Sequence, residues 1–282
     1  MTNKLARKKV IILYIVLAVV LLLVGSLFLA YGTNSTDSIS LFFKKFYPAI
    51  VVGGSPISIY DKDKDLEIAK KLDPTMDQTA ATDQLIQNKK MENLVSSSEF
   101  SNNWNLLDQE YRYYTGGKTE EYQQLLKTYF SNDEGLFIKF VLLPKFDDAR
   151  LRIKYNSDLK ANASAYAKAQ DILKRINNGE KFEDLAKLSD DQITSQTGGD
   201  LGLVTEDEVF PEFFNALESA KVGEVSKNIL ISREGYHIIY PVETITQNGQ
   251  KLWHIKHISV ATTGFQNWLD AQLAKVSVWH IK

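Results

Sequence analysis

The sequence predicts an α+β fold: an N-terminal transmembrane helix, a long helical block, and a small antiparallel sheet flanked by helices. Three observations predict it. Apolar residues recur at three- and four-residue spacing from about Asp61 to Asn178, as in Tyr122, Leu125, Leu126 and Tyr129. Then β-type runs, "EVSKNILIS", "GYHIIYPV" and "KLWHIKHISV", gather after Gly179. The last two flank "ETITQNGQ", whose Asn248-Gly249 is a strong hairpin signal.

The elements follow in order. Residues 10–31, "VIILYIVLAVVLLLVGSLFLAY", form an uncharged apolar run, long enough to cross a ~30 Å hydrocarbon core. Lys4, Arg7, Lys8 and Lys9 precede it and no such basic cluster follows. The positive-inside rule therefore puts residues 1–9 in the cytoplasm and the chain from about residue 32 outside the cell membrane. The reading is a single-pass signal anchor. The alternative, a cleaved signal peptide, suits "FLAYG" poorly, because small residues are wanted before the cut. Residues 32–47 read as a linker that opens on polar "TNSTDSIS", and a helical domain covers 48–160, completed by 263–282. Within it "FYPAIVVGGSPISIYD" offers a hairpin around Gly53-Gly54. Helices are expected at 62–71, 82–96, 101–114, 118–130 and 133–142, with breaks at Pro74, the serine run 96–98, Gly116-Gly117 and Pro144. A longer one is expected from Asp147 to Asn178, ending before Gly179. A second domain covers 161–262. It holds a short helix at "KFEDLAKLSDD", a turn-rich loop at "QTGGDLG", and a helix at "PEFFNALES" that Pro211 opens. A helix with Phe265, Trp268, Leu269 and Leu273 and a short strand close the chain.

Composition excludes several function classes. There is no cysteine, so disulfides, thiolate metal sites and a cysteine nucleophile are out. Of 33 basic residues four lie in the first nine positions, which leaves 29 against 35 acidic ones in the body. A mildly acidic body argues against nucleic acid as a partner.

The stretch Ala167–Val242 carries "AQDILKRINNGEKFEDLAKLSDD", "GGDLG", "PEFFNALESAKVGEVS" and "GYHII". In order and spacing these pieces resemble a parvulin-type peptidyl-prolyl isomerase domain. With the anchor, the "VVGGSPIS" hairpin and the helical region, the whole resembles the SurA- and PrsA-like extracytoplasmic foldases. In those a chaperone domain is built from segments before and after the parvulin module. One element is displaced. The family's domain begins with a strand like "xHILV", whose histidine belongs to the active site. Here the segment before the first helix has a helical pattern and no histidine, whereas "KHISV" stands at 256–260. The resemblance therefore implies a circularly permuted domain, with its first strand joined after its last through the Asn248-Gly249 turn. In-place degeneration of that strand is the alternative.

Rotation about an X–Pro bond faces a barrier of about 18–20 kcal/mol from amide resonance and breaks no bond. It needs no metal, cofactor or nucleophile. An apolar grip on the proline ring helps, as do polar groups that favour the twisted amide. By position the resemblance assigns His237 and His257 as the catalytic histidines and Asp191 as the acidic residue of the first loop. Phe213, Val209 and Ser232 take the substrate-binding positions. Val209 stands where a methionine is usual, Glu218 where a second aromatic is usual, and Ser232 where a threonine is usual. Those departures imply a shallower proline pocket. Each residue also has a plainer reading: the histidines as sheet-bracing partners, Asp191 as a turn cap, Phe213 as core. Gly198, Gly199 and Gly202 read as turn formers, and Asp200 as a loop-stabilising acceptor.

His254 and His257 lie three apart, so in a strand they face opposite ways and do not make a zinc site. Parity also constrains the other pair. An unbroken two-residue turn sets His257 opposite Tyr240 and puts His237 and His257 on opposite faces. A three-residue loop, or a bulge near Pro241, sets His257 opposite Ile239 and puts both on one face.

The expected function is that of an extracytoplasmic, membrane-anchored peptidyl-prolyl isomerase and foldase for unfolded or proline-containing polypeptides, with the lipid bilayer as a second partner. Two alternatives stand beside it: a parvulin-like chaperone that only binds unfolded chains, and a scaffold for a membrane complex.

Overall fold

The structure, a computed structural model, describes residues 2–32, 36–96, 104–116 and 118–281, with side chains from Ile15 on in the first helix. Two compact units divide the chain: Met1–Lys90 with Val276–Lys282, and Met91–Lys275.

In the first unit, helix α1 (Thr2–Tyr31) is followed by α2 (Ser38–Phe46). A helix therefore occupies most of the segment expected as a linker. Asp37 starts it, its carboxylate accepting the Ile39 and Ser40 N–H groups at 3.0 Å each, which satisfies two of the orphan donors of a helix start. Among the described residues no helix is long and apolar enough to cross a membrane; the side chains of residues 10–14 of the expected anchor lie outside them. Strands β1 (Pro48–Val52) and β2 (Ser55–Ser58) form the expected hairpin. The C-terminal strand Val278–His280 pairs with β1 on its other side. Helix α3 (Ile59–Leu72) and the start of α4 (Gln78–Ser96) complete this unit.

The second unit begins within α4 and continues through α5 (Trp104–Thr115) and α6 (Glu120–Tyr129). Next come α7 (Glu134–Phe137), a π-turn (Ile138–Leu142) and α8 (Leu143–Asn156), which run on without a gap. Pro144 is not a break. It sits in the first turn of α8, where its missing N–H costs little. The single helix expected over 147–178 is two, because α9 (Ala163–Asn177) starts afresh. Asp158 accepts the Lys160 and Ala161 N–H groups, and the Asn162 amide donates to Tyr155 O and Asp158 O. Such local side-chain bonds displace the helical ladder.

After α10 (Phe182–Leu185) come β3 (Asp200–Val204), α11 (Pro211–Ser219), β4 (Leu230–Ser232), β5 (Gly235–Gln247) and β6 (Gln250–Ala261). They form an antiparallel sheet in the order β3-β6-β5-β4. The "GGDLG" segment, expected as loop, supplies β3. β6 lies between β3 and β5, so the strand that the family resemblance places first along the domain comes last here. One sheet face carries Tyr236, Ile238, Ile258 and Val260, buried under Ala169 and Ile172 of α9 and Phe182 and Leu185 of α10. The other carries Ile239, Trp253 and Ile255, packed on Phe213, Phe214 and Leu217 of α11. The alternation of these two sets along each strand is the period-two rule. Helix α12 (Phe265–Leu273) returns to α8, burying Phe265, Leu269 and Leu273 against Leu151 and Tyr155.

Candidate active site

The β5–β6 turn has two residues, Asn248 and Gly249, both at positive φ (53° and 78°), with Gln247 paired to Gln250. Positive φ at both positions is the primed turn that suits the twist of a hairpin. Left unbroken, that register would set His257 against Tyr240. It is broken between Pro241 and Glu243: Pro241 pairs with Ile255 and Glu243 with His254, which leaves Val242 as an extra residue. Pro241 has no N–H for the ladder, and strands tolerate proline at such bulges. Beyond the bulge His257 faces Ile239 and His237 faces Ser259, so the two histidines stand diagonally on one face. Their rings lie parallel within 8°, centroids 5.8 Å apart.

Both are buried, 3% exposed for His237 and 7% for His257. Loop 189–197 is laced to the end of β6. Ser189 Oγ accepts the Ser259 N–H, Asp190 N–H donates to Ser259 O, and Asp190 Oδ2 accepts the Ala261 N–H. That lacing places Asp191. Its Oδ1 accepts the Ile193 N–H at 3.0 Å, and its Oδ2 lies 2.9 Å from His257 Nε2 and 2.7 Å from Thr194 Oγ1. Asp191 is thus turn cap and histidine partner at once. Burial would raise its pKa, but the hydrogen bonds from Thr194, His257 and the backbone outweigh that and hold it at about 2. Gly199, at φ 84°, accepts the His257 N–H on its carbonyl. A Cβ there would stand 2.5 Å from His257 O, so only glycine lets the loop approach this strand.

The protonation pattern follows from the partners. A carboxylate only accepts, so His257 carries its proton on Nε2 and a lone pair on Nδ1. Ser232 Oγ lies 2.7 Å from His237 Nε2 and already accepts the Glu234 N–H. The buried Ser232 hydroxyl proton has no other acceptor among the described residues, so it goes to His237 Nε2, which leaves the His237 proton on Nδ1. Both Nδ1 atoms are buried without a hydrogen-bond partner. The pair therefore presents one free donor and one free acceptor. Burial first, then the neighbouring His257, push the His237 pKa down to about 3. Burial also lowers that of His257, against the pull of Asp191. Both rings are neutral at pH 7.

The histidines form the floor of a groove of about 440 Å³. Phe213 stands edge-on to them, 4.6 Å from the His237 ring and 6.0 Å from the His257 ring, while its other side enters the core. Val209 lines the groove beside it. Ser232 is fully buried and braces His237 instead of facing the groove. Glu218 points to solvent. Thr194, Phe210 and Tyr113 were not singled out in the sequence. Phe210 borders the motif that held Phe213. Tyr113 comes from α5, some hundred residues upstream, and nothing local signals it. It meets Phe210 at 5.1 Å. α5 is held there by Glu110, which is fully buried and ion-paired to both terminal nitrogens of Arg233. Arg233 also bonds Glu212 of α11 and lies over the Phe210 ring. His254 is on the opposite sheet face, 2.9 Å from Asp200 and 3.7 Å from Glu243. Among the described residues no group of three side chains is placed to hold a metal ion.

Residues 150–243 match the family model of the PPIC-type PPIase (rotamase) domain. The match ends before β6, in keeping with the displaced strand. Over 120 residues the chain is 35% identical to the chaperone SurA of Nitrosospira multiformis, covering 40% of this chain and 27% of that protein. Over 133 residues it is 32% identical to the foldase protein PrsA 2 of Bacillus anthracis, covering 43% and 46%. It thus spans less than half the length of these relatives. The crystal structure of peptidylprolyl isomerase (PrsA) from Bacillus anthracis superposes over 68% of this chain and 84% of that one, at 16% identity and a TM-score of 0.25, too loosely to inform the fold. The sequence matches and the histidine-floored groove agree: residues 150–243 carry a parvulin-type peptidyl-prolyl isomerase domain, and over part of its length the chain is similar to the SurA and PrsA proteins.

Proposed function

We propose that the chain is a membrane-anchored foldase that isomerises X–Pro bonds of unfolded or secreted polypeptides outside the cytoplasm. The observation that carries the catalytic part is the pairing of His237 and His257 on one face, beneath a groove walled by Phe213 and Val209. Phe213 and Val209 bind the proline ring. The neutral histidines offer fixed dipoles with one donor and one acceptor, and Asp191 holds His257 in one tautomer. Such preorganised groups favour the twisted amide, whose nitrogen regains a lone pair, over the planar one. Ser232 is a positioning residue, acting through His237.

The apolar run 10–31, the basic residues before it, and the exposed apolar side chains of α1 between Ile15 and Phe28 support the anchoring. Labelling of intact cells at residues before and after α1 tests the orientation: accessibility of the N-terminal tail alone overturns it.

A proline-limited refolding assay tests the isomerase. Acceleration by the full chain that disappears in His257→Ala, with its circular dichroism unchanged, supports the enzyme. Suppressed aggregation with no acceleration supports the chaperone that only binds, a reading favoured by Val209 in place of the larger methionine.

A further inference from the structure

The groove is acidic, and its wall is shared with a helix outside the parvulin segment. Four carboxylates line it: Asp190, Asp191, Glu208 and Glu234; among the described residues no lysine or arginine does. Their charges are compensated unequally. Asp190 is ion-paired to Lys168 at 2.7 Å. Asp191 keeps its full charge, because His257 beside it is neutral at pH 7. Glu208 spends one oxygen on the Thr205 N–H and remains exposed. Glu234 is exposed, and its backbone N–H is held by the Ser232 hydroxyl that also braces His237. Arg233, which lies over the Phe210 ring of this lining, is clamped by Glu110 and Glu212, two carboxylates against one cation. Tyr113 lines the same groove; burial raises its phenol pKa, Arg233 pulls it down, and Glu110, Glu234 and Glu212 push it up.

An aromatic ring beside unpaired carboxylates suits a cation on an aliphatic stem. The buried, unpartnered Nδ1 atoms of His237 and His257 mark the same groove as the place where a peptide's polar groups are received. We propose that this groove selects prolyl bonds flanked by lysine or arginine, with Glu234 as the carboxylate that meets the cation and Tyr113 of α5 as the wall along its stem. The selection rests on the isomerase site proposed above and extends it to a substrate class. It gives α5 a part in specificity: the Glu110–Arg233 pair fixes that helix at the groove, so the wall is built in and not recruited. A lumen of single-sign charge also raises the local concentration of cationic peptides, an effect that salt screens.

The experiment uses the full chain in detergent and tetrapeptides with Lys, Arg, Ala or Glu placed directly before or after the proline. Isomerisation is followed by NMR exchange, and binding of the same peptides by displacement of a fluorescent proline peptide. The expected result is kcat/KM and affinity about tenfold higher for a Lys or Arg peptide than for its Glu counterpart, or about 1.4 kcal/mol. Glu234→Gln should shrink that ratio about threefold, Tyr113→Ala should shrink it too, and 0.5 M NaCl should compress it. If no peptide is isomerised, the isomerase reading fails, yet the affinity ranking still decides the selectivity. Equal or inverted ranking, or a ratio that Glu234→Gln leaves unchanged, overturns the proposal.

Discussion

His257 stands opposite Ile239, not Tyr240, and one extra residue, Val242, accounts for it. The two-residue Asn248-Gly249 turn alone would have set the histidines on opposite faces of the sheet. Deleting Val242 should therefore remove the bulge and still keep His257 opposite Ile239, because the Pro241–Ile255 and Glu243–His254 pairs become consecutive rungs of an unbroken ladder. Sliding all of β6 is unfavourable, because Trp253, Ile255, Ile258 and Val260 would each change faces. The expected outcome is that the histidine pairing and isomerisation survive the deletion. A second variant supplies the contrast. Deleting Val242 and Glu243 together should instead set His257 opposite Ile238, turn it away from His237 and abolish isomerisation. NMR cross-strand contacts between residues 239 and 257 check the register directly.

The acid side of the stability profile should report the buried histidines. His237 has a folded pKa near 3, against about 6.5 in the unfolded chain. Depressing a histidine pKa means the unfolded state binds the extra proton, so the stabilising contribution is complete above pH 6.5. It is lost progressively as pH falls toward 3. Asp191, held at about 2 against 3.8, loses its contribution in the same direction below about pH 4. Urea midpoints should thus fall from pH 7 to pH 4, His237 alone contributing a slope of up to ~1.4 kcal/mol per pH unit. His237→Gln should flatten that slope. Isomerisation should stay level between pH 7 and 8, where both rings are neutral. A rate that rises as the histidines protonate would count against neutral dipoles as the catalytic groups.

Ser232 is a buried hinge between two groups, and its removal should show as more than a lost contact. Ser232→Ala leaves His237 Nε2 and the Glu234 N–H unsatisfied together, at a cost of roughly 1–3 kcal/mol for each buried polar group left without a partner. It also frees the His237 tautomer. Thermal melts should show the stability loss, and the change in His237 ring nitrogen shifts should show the tautomer. Ser232→Thr keeps the hydroxyl and should restore both. If Ser232→Ala lowers stability but leaves the His237 ring signals unchanged, the tautomer assignment is wrong.

The sheet was legible in the sequence because strand parity and turn chemistry are local. "GYHII" and "HISV" are short runs of strand-forming residues, and Asn248-Gly249 announces its own turn. Their consequence, two histidines on one face, depended on a single bulge that the sequence allowed at Pro241 without requiring it. β3 was lost among glycines: Gly198, Gly199 and Gly202 all have positive φ, which reads as loop, although Asp200–Val204 completes the sheet. Pro144 misled for the opposite reason, since proline in a first turn does not break a helix. Of the site, the residues within the motif were legible, His237, His257, Asp191 and Phe213. Tyr113 and Glu110 were not. Their link to the groove is a tertiary ion pair spanning more than a hundred residues, and no periodicity encodes it.

That ion pair yields the last prediction. Arg233 is 7% exposed and Glu110 fully buried, with Glu212 accepting from the same guanidinium. Breaking a buried pair leaves an uncompensated charge, and measured losses for such cuts run about 3–5 kcal/mol. Arg233→Met should sit at the upper end, because it strands two carboxylates and removes the cation over Phe210. Glu110→Gln should cost less, since Arg233 keeps Glu212 and Gln can still accept one hydrogen bond. The cut should also be felt in the groove. With α5 released, Tyr113 no longer holds its place against Phe210, and peptide affinity should drop even in the milder variant. Urea unfolding of Arg233→Met, Glu110→Gln and the double variant Glu110→Gln/Arg233→Met gives the coupling energy between the two positions. The double variant should lose less than the single losses added together, because no charge remains buried opposite Glu110's place. Strict additivity would mean that the pair does not hold α5 to the domain, and the placement of Tyr113 would then need another cause.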